Sequence, residues 1–181
     1  MYGFLVCGSP GTGKSSHVSE MLDKAGLADP FLIIDPDKIA ASTHEERSTS
    51  AMKMVLETIS KGKSFVYIAT CGGTRIVLDL LSRMKIKKYR TVVAIPYTSL
   101  TTALSRIAKR TEQPVAEDVV RDLYAFFKTK AERFMKMKNL DEVYLYNNET
   151  EFNLLLKMKN KHVACSAGDF YFDISKYCTT F

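Results

Sequence analysis

The chain has 181 residues, of which 46% are apolar and 25% are charged, and its net charge is +6. This length and composition are typical of one globular domain and exclude a largely disordered chain. Because no apolar run approaches the length that crosses a bilayer, we expect a cytoplasmic protein without a membrane segment. The positive charge is compatible with an anionic ligand.

The first predicted element is a buried strand over Tyr2 to Cys7, and a glycine-rich loop follows it at once. The loop has the complete GxxxxGK[ST] pattern, formed by Gly8, Ser9, Pro10, Gly11, Thr12, Gly13, Lys14 and Ser15. Its glycines let successive backbone N–H groups point inward around a phosphate. Lys14 would reach the β- and γ-phosphates, and the Ser15 hydroxyl would be a ligand of Mg²⁺. The loop, together with Ser16, therefore predicts a site for ATP and Mg²⁺.

The second predicted strand, Phe31 to Ile34, ends at two carboxylates, Asp35 and Asp37. Open parallel sheets gather their catalytic groups at the carboxyl ends of strands. One carboxylate could accept the proton of an attacking hydroxyl, and the other could orient it or contact a metal-bound water. A solvated Asp-Pro turn is the alternative.

The rest of the chain alternates between strand and helix patterns. Further strands are predicted at Ser64 to Ala69, Thr91 to Ile95 and Val143 to Tyr146. Helices are predicted at Lys14 to Ala25, from a cap at Ser42 with Glu45 to Ser60, at Arg75 to Lys85, at Leu100 to Arg110 and from about Pro114 onward. The last helix has a core stripe of Val119, Val120, Leu123, Phe127, Ala131 and Phe134. This alternation predicts a three-layer α/β sandwich with a mostly parallel, five-stranded sheet.

A basic helix end follows the fourth predicted strand. Arg106 and Arg110 are one helical turn apart, so both could aim at one ligand, and Lys109 is interpreted as solvated. Thr111, Glu112 and Gln113 lead from there to the last helix. Such a segment can close over phosphates as a helical lid, and its arginine would stabilise charge on a transferred phosphoryl group. The alternative is a basic helix end that complements the helix dipole.

A second basic segment runs from Arg83 to Arg90, where five of eight residues are Lys or Arg. An excess of this kind is weak evidence for contact with nucleic acid. A solvated helix end is the alternative interpretation.

Cysteines and the C-terminal composition complete the sequence features. The four cysteines, Cys7, Cys71, Cys165 and Cys178, form no CxxC pair, so buried reduced thiols are expected. A composition shift after Lys161 divides the chain into a predicted domain, 1–161, and a tail, 162–181, packed on that domain. The tail carries Phe170, Tyr171, Phe172, Tyr177 and Phe181, which suits a docked hairpin or an irregular segment.

Four motifs in this order resemble the phage polynucleotide kinase and zeta-toxin branch of the P-loop kinases. They are GSPGTGKSS, IIDPDKI, TCGGTR and SRIAKRTEQPVAEDVVRDLY, and the likeness covers roughly residues 2 to 148. The resemblance implies a P-loop NTPase fold with Asp37 as general base and with Arg110, joined by Arg106, clamping the donor phosphates. It also implies that Gly73, Thr74 and Arg75 line the acceptor pocket and that Asn147 approaches the nucleotide base.

The chain departs from this family's pattern at the acceptor side. Ala40 stands where the family commonly has an Arg or Lys three residues after the base. Thr70 and Cys71 stand where an acid often precedes the glycines after the third strand. The acceptor is therefore the part of the site that the resemblance defines least.

The favoured interpretation is a kinase that moves the γ-phosphoryl group of ATP to a hydroxyl. Polynucleotide 5′ ends, nucleosides and nucleotide-sugars are the expected acceptor classes. A nucleic-acid-directed ATPase or packaging motor is the second interpretation, and a degenerate nucleotide-binding protein is the third. The oligomeric state is left open.

Overall fold

A computed structural model describes residues 1–28, 30–111, 114–166 and 173–178. Its helices are α1 (Val18–Ala25), α2 (His44–Ser60), α3 (Thr74–Ile86), α4 (Leu100–Ala108) and α5 (Glu117–Lys136). Its strands are β1 (Tyr2–Cys7), β2 (Leu32–Ile34), β3 (Phe65–Ala69), β4 (Arg90–Tyr97), β5 (Glu142–Asn147), β6 (Asn153–Lys159) and β7 (His162–Cys165). Short 3₁₀ turns lie at Pro36–Lys38 and Ser175–Tyr177. Among the described helices, none has both the length and the apolar character needed to cross a membrane.

Some sequence predictions fall outside the described residues. They concern Glu112 and Gln113 before the last helix and the aromatic residues Phe170, Tyr171, Phe172 and Phe181 of the tail.

The described strands form one mixed sheet in the order β2-β3-β1-β4-β5-β6-β7. The first five strands in this order are parallel, as predicted, and β6 and β7 are added antiparallel at the β5 edge. The predicted count of five strands is therefore wrong, because the described residues form seven strands in this sheet. Strands β6 and β7 form a hairpin that was not predicted, and its turn lies at Asn160 and Lys161. Both residues have positive φ, whereas the usual sequence signal for such a turn is a glycine at the second position.

The core lies on both faces of the sheet. Alternate residues of β1 point to opposite sides, with Leu5 and Cys7 in one buried cluster and Phe4 and Val6 in the other. Helices α2, α3 and α5 contribute to the first cluster, and α1 contributes to the second. Helices therefore cover both faces, and the sheet is the middle layer.

Helices α1, α2 and α5 differ from the predictions in a boundary or in the face that they bury. Helix α1 begins at Val18 rather than Lys14, since residues 14–17 are turns. The cap of α2 is Thr43 with Glu46, one residue later than predicted, and forms a complete capping box. In α5, which begins at Glu117, Val119 is 45% exposed and faces a cleft rather than the core.

The cysteines are paired, so the expectation of reduced thiols is wrong for this structure. Cys7 is joined to Cys71 across 64 residues, and Cys165 is joined to Cys178. The second pair holds the described part of the tail to β7, and Ile174 packs in the first core cluster. Disulfides persist mainly in oxidising compartments, so the cytoplasmic location stays a prediction, as does the domain division at residue 161.

Candidate active site

A cleft of about 850 Å³ lies at the carboxyl ends of β1, β2 and β3. The predicted site residues that line it are Pro10, Gly11, Gly13, Lys14, Ser15, Ser16, Asp35, Asp37, Arg106 and Arg110. The glycine-rich loop, the acids after β2, and Arg106 and Arg110 are far apart in sequence. Parallel strands bring their carboxyl ends to one edge, and the fold therefore gathers these groups in one place.

Two glycines of the loop are required by the backbone and by its neighbours. Gly11 and Gly13 have φ values of 80° and 84°, in the left-handed region that favours glycine. A Cβ at Gly11 would lie 2.6 Å from the Ala103 carbonyl oxygen, and one at Gly13 would lie 2.2 Å from Asn148 Nδ2. The loop therefore packs directly against α4 and the segment after β5.

Hydrogen bonds fix the shape of the loop. Thr12 Oγ1 and Lys14 Nζ both donate to the Ser9 carbonyl oxygen, each at 2.9 Å. Asn148 Nδ2 donates to the Thr12 carbonyl oxygen at 3.0 Å, and Ser9 Oγ donates to that of Leu123 at 3.4 Å. These bonds tie the loop to itself, to the end of β5 and to α5.

The surroundings of Lys14 in the cleft change its pKa. Burial lowers its pKa to about 8; Asp37 and Asp35 raise it, while Arg110 lowers it further. An anion that binds beside this lysine stabilises its charged form and raises its pKa. The position therefore suits a phosphate group.

The two acids after β2 have different surroundings. Asp35 is 5% exposed, and its Oδ1 accepts the Asp37 N–H at 3.1 Å. Its Oδ2 is buried without a hydrogen-bond partner among the described residues. Asp37, on the 3₁₀ turn, is 42% exposed and pairs with Arg110 at 3.7 Å. Asp37 is thus open to a substrate, whereas Asp35 supports the turn.

The two predicted lid arginines make different contacts. Arg106 donates from Nη2 to the carbonyl oxygens of Asn148 at 2.8 Å and Glu149 at 3.3 Å, and from Nη1 to that of Gly11 at 3.4 Å. Arg110, just beyond α4, is 40% exposed and reaches across the cleft to Asp37. Arg106 therefore holds the loop, α4 and the segment after β5 together, and Arg110 is the more available of the two.

Glu149 fastens the start of α4 to the end of β5. Its carboxylate accepts hydrogen bonds of 2.5 to 2.7 Å from Thr98 Oγ1, Ser99 N, Ser99 Oγ and Thr102 Oγ1. Burial alone would raise the pKa of Glu149, but these bonds outweigh it and lower the pKa to about 2. No local sequence pattern indicates this role for Glu149, because its partners lie about 50 positions away.

We expect Glu149→Gln to lower the free energy of unfolding by about 1 kcal/mol at neutral pH, because a charged acceptor of four bonds is lost. The contribution of Glu149 is fully present above the unfolded pKa near 4.5 and is lost as pH falls toward 2. The difference between wild type and variant should therefore shrink from pH 5.5 to pH 3 in urea titrations. Glu57→Gln, which removes only an exposed pair with Lys61, is the control. A difference that stays constant with pH would contradict this assignment.

Several residues of the cleft were not predicted as site residues. They include His44, Arg47 and Ser48 in the first turns of α2, Tyr67 and Thr70 at the end of β3, and Val119 and Leu123 of α5. The only sequence signal for the α2 group is its spacing of three and four residues, which is also common on ordinary helix surfaces.

Other predicted residues do not line this cleft. Three residues of the loop itself are buried: Gly8, Ser9 and Thr12. The Gly8 N–H donates to the Ala69 carbonyl oxygen at 3.3 Å. Asn147 ends β5, and its Oδ1 accepts the Glu149 N–H at 3.0 Å. Gly73, Thr74 and Arg75 form the start of α3, where Arg133 Nη1 donates to Thr74 Oγ1 at 3.2 Å. The roles predicted for these residues stay predictions.

The described residues define the class of fold: an α/β protein with a seven-stranded mixed sheet and a glycine-rich loop after β1. The structure resembles a chain of the AvrRxo1-ORF1:AvrRxo1-ORF2 complex at a TM-score of 0.66 and 16% identity, over 91% of this chain and 60% of that one. The same complex has been solved with sulphate ions and with ATP.

Two further solved structures are similar. One is from the PezAT chromosomal toxin-antitoxin system of Streptococcus pneumoniae, at a TM-score of 0.62 and 14% identity, covering 83% of this chain and 70% of that one. The other is from the Pnkp1/Rnl/Hen1 RNA repair complex, at a TM-score of 0.58 and 14% identity, covering 74% of this chain and 46% of that one.

These likenesses concern the fold, because the identities are low. The chain spans about three fifths of the length of the AvrRxo1 chain that it matches. Neither a protein-family model nor a curated protein sequence matches the chain. The phage polynucleotide kinase branch therefore stays a prediction.

Proposed function

We propose that the chain is an ATP-dependent kinase that transfers the γ-phosphoryl group to a hydroxyl acceptor. The observation that carries the proposal is that one cleft holds Lys14 and Ser15 of the phosphate loop together with Asp37 and Arg110. These are the groups that phosphoryl transfer uses: cations for the donor, and a carboxylate for the acceptor proton.

Each group has a defined part in the reaction. The acceptor oxygen attacks the γ-phosphorus while the bond to the β–γ bridging oxygen breaks, and ADP leaves with that oxygen. Asp37 takes the proton of the acceptor hydroxyl. Lys14 and Arg110 stabilise the negative charge spread over the transferred group.

The pair between Arg110 and Asp37 links donor binding to base activation. In this structure the two side chains face each other at 3.7 Å across the cleft. Donor phosphates would compete with Asp37 for the Arg110 guanidinium, because a polyphosphate carries more charge than one carboxylate. Donor binding would thereby free Asp37 to accept a proton.

The residues present also fit Mg²⁺. Hydroxyl and carboxylate oxygens are the ligand type that this ion prefers, and they are present here in Ser15 and Asp35. The buried, unpartnered Oδ2 of Asp35 is a polar atom that a metal-bound water would satisfy. Mg²⁺ would neutralise charge on the donor phosphates, and Ser15 and Asp35 would hold it in place.

Polynucleotide 5′-hydroxyls, nucleosides and nucleotide-sugars are the acceptor classes that we include. Similarity in fold to a chain of an RNA repair complex supports the first of these. The basic segment near the end of α3 adds little support for a polynucleotide acceptor, because three of its five cations are paired with acids. The pairs are Arg83 with Asp79, Lys85 with Asp141, and Arg90 with Glu142.

A nucleic-acid-directed ATPase is the second candidate. The observation that favours it is Ala40, which stands where the resembling kinases carry a cation for the acceptor. A protein without an acceptor site would transfer the phosphoryl group to water.

One assay separates these functions. The protein is incubated with γ-labelled ATP, Mg²⁺ and a panel of DNA, RNA, nucleosides and nucleotide-sugars. Label on an acceptor supports the kinase, whereas free phosphate whose release is stimulated by polynucleotide supports the ATPase. Tight ATP binding with neither product would overturn both and leave a nucleotide-binding protein.

A further inference from the structure

Arg47 is a cation of the cleft that has no part in the proposed reaction. Arg47 lies in the second half of the first turn of α2 and lines the cleft beside His44 and Ser48. These three residues are spaced at i, i+3 and i+4, so they share one face of the helix. Helix α2 packs against the 3₁₀ turn that carries Asp37. Arg47 therefore lines the same cleft as the proposed base, from a helix that contacts the turn of Asp37.

The contacts of Arg47 leave part of its guanidinium unsatisfied. Nη1 donates to the Ala41 carbonyl oxygen at 3.4 Å, and Nε is buried without a hydrogen-bond partner. No carboxylate in the described ranges pairs with it. By contrast, Arg106 has three carbonyl partners and Arg110 has Asp37.

The position of Arg47 is also unfavourable for a cation. It is close to the N-terminus of α2, where the helix dipole is positive and favours negative charge. Glu46 does not compensate directly, because its carboxylate accepts the N–H groups of Ser42 and Thr43 in the capping box. A buried N–H group without an acceptor is destabilising. A bound anion in the cleft would stabilise the guanidinium charge at this helix end.

We propose that Arg47, with His44 and Ser48, binds a phosphate group of the acceptor. This inference rests on the proposed kinase function and narrows its substrate class. The acceptor then carries a phosphate ester near the hydroxyl that Asp37 activates, as a nucleotide, a polynucleotide or a phosphorylated sugar does. Arg47 supplies from α2 the cation that is absent at Ala40, and its planar fork suits phosphate oxygens.

The test uses the full chain saturated with Mg²⁺ and a nonhydrolysable ATP analogue, so that the phosphate loop is occupied. Inorganic phosphate is titrated in and followed by ³¹P NMR. We expect saturable binding to the wild type, about 30-fold weaker binding to Arg47→Met, and intermediate binding to Arg47→Lys. Arg83→Met is the matched control, since Arg83 is exposed and paired with Asp79 on α3. It should bind phosphate as the wild type does.

Two outcomes would overturn the inference: no phosphate binding by the analogue-saturated wild type, or equal binding by a folded Arg47→Met. If thermal melting shows that Arg47→Met is unfolded, the double variant His44→Ala and Ser48→Ala is used to test the phosphate site instead. We expect it to weaken phosphate binding about fivefold, and unchanged binding would count against the site. These measurements need no turnover, so they stand or fall separately from the kinase function.

A kinetic measurement completes the test once an acceptor takes up label. Arg47→Met should raise KM for a phosphate-bearing acceptor about 30-fold and leave kcat nearly unchanged, because the contact is made equally before and during transfer. For an acceptor with the same hydroxyl but no phosphate, both constants should stay at their wild-type values. Equal effects on both acceptors would assign Arg47 a structural role and overturn the inference.

Discussion

Asp37→Asn should reduce phosphoryl transfer by about 10²- to 10⁴-fold, the range in which a positioned general base contributes. Asparagine has nearly the same shape as aspartate, but it cannot take the proton of the acceptor hydroxyl. ATP affinity should stay within about fivefold of the wild type, because the exposed pair with Arg110 is a weak one. Transfer is measured in single turnovers with γ-labelled ATP, and affinity by calorimetry.

Asp79→Asn provides the matched control for this variant. Asp79 is exposed and pairs with Arg83 at 2.8 Å, so the change breaks another aspartate–arginine pair, outside the residues that line the cleft. We expect wild-type transfer from this control. Full activity in Asp37→Asn would exclude Asp37 as the base and leave Asp35, the other acid of the cleft, as the candidate.

The residues of the cleft that sequence reasoning could locate are those set by strict local patterns. Between β1 and α1, a phosphate-binding turn needs glycine at Gly11 and Gly13, so the pattern is short, contiguous and rarely accidental. Asp35 and Asp37 were predicted to be near it by topology, because parallel strands end at one edge of the sheet. In the structure both acids line the same cleft as the loop. Their chemical roles stay predictions.

The parts that sequence reasoning missed depend on contacts between distant positions. Glu149 is surrounded by residues that precede it by about 50 positions, and nothing near it in the sequence indicates this. Arg47 follows two glutamates in a helix start and has the pattern of a solvated surface residue. Only the packing of α2 against the turn of Asp37 brings it into the cleft.

The two antiparallel strands, β6 and β7, and the paired cysteines were missed for related reasons. The turn at Asn160 and Lys161 adopts positive φ without glycine, so the hairpin lacks its usual sequence mark. Cys7 and Cys71 are brought together by strand order: Cys7 ends β1, and Cys71 comes just after β3, the strand that pairs with β1. Their pairing depends on strand order, which composition and spacing of cysteines do not reveal.

Lys14→Ala should weaken ATP binding by about 10- to 100-fold and reduce transfer by about 10³-fold. The ammonium group would contact donor phosphates in the ground state, but its stabilising effect is largest in the transition state, when negative charge increases on the transferred group. Lys109→Ala is the control, because Lys109 is exposed at the end of α4 and does not line the cleft. Equal ATP affinity in Lys14→Ala and Lys109→Ala would contradict a donor site at this loop.

The lowered pKa of Lys14 gives a second measurement of the same site. With a pKa of about 8, the side chain is charged below that pH and loses its proton above it. Bound phosphates favour the charged form, so ATP binding should take up a proton near pH 8.5 and none at pH 6.5. Affinity should fall by up to about tenfold per pH unit above 8. Calorimetry in two buffers of different ionisation enthalpy measures the uptake. Lys14→Met should abolish it, and uptake that persists in this variant would assign the proton to another group.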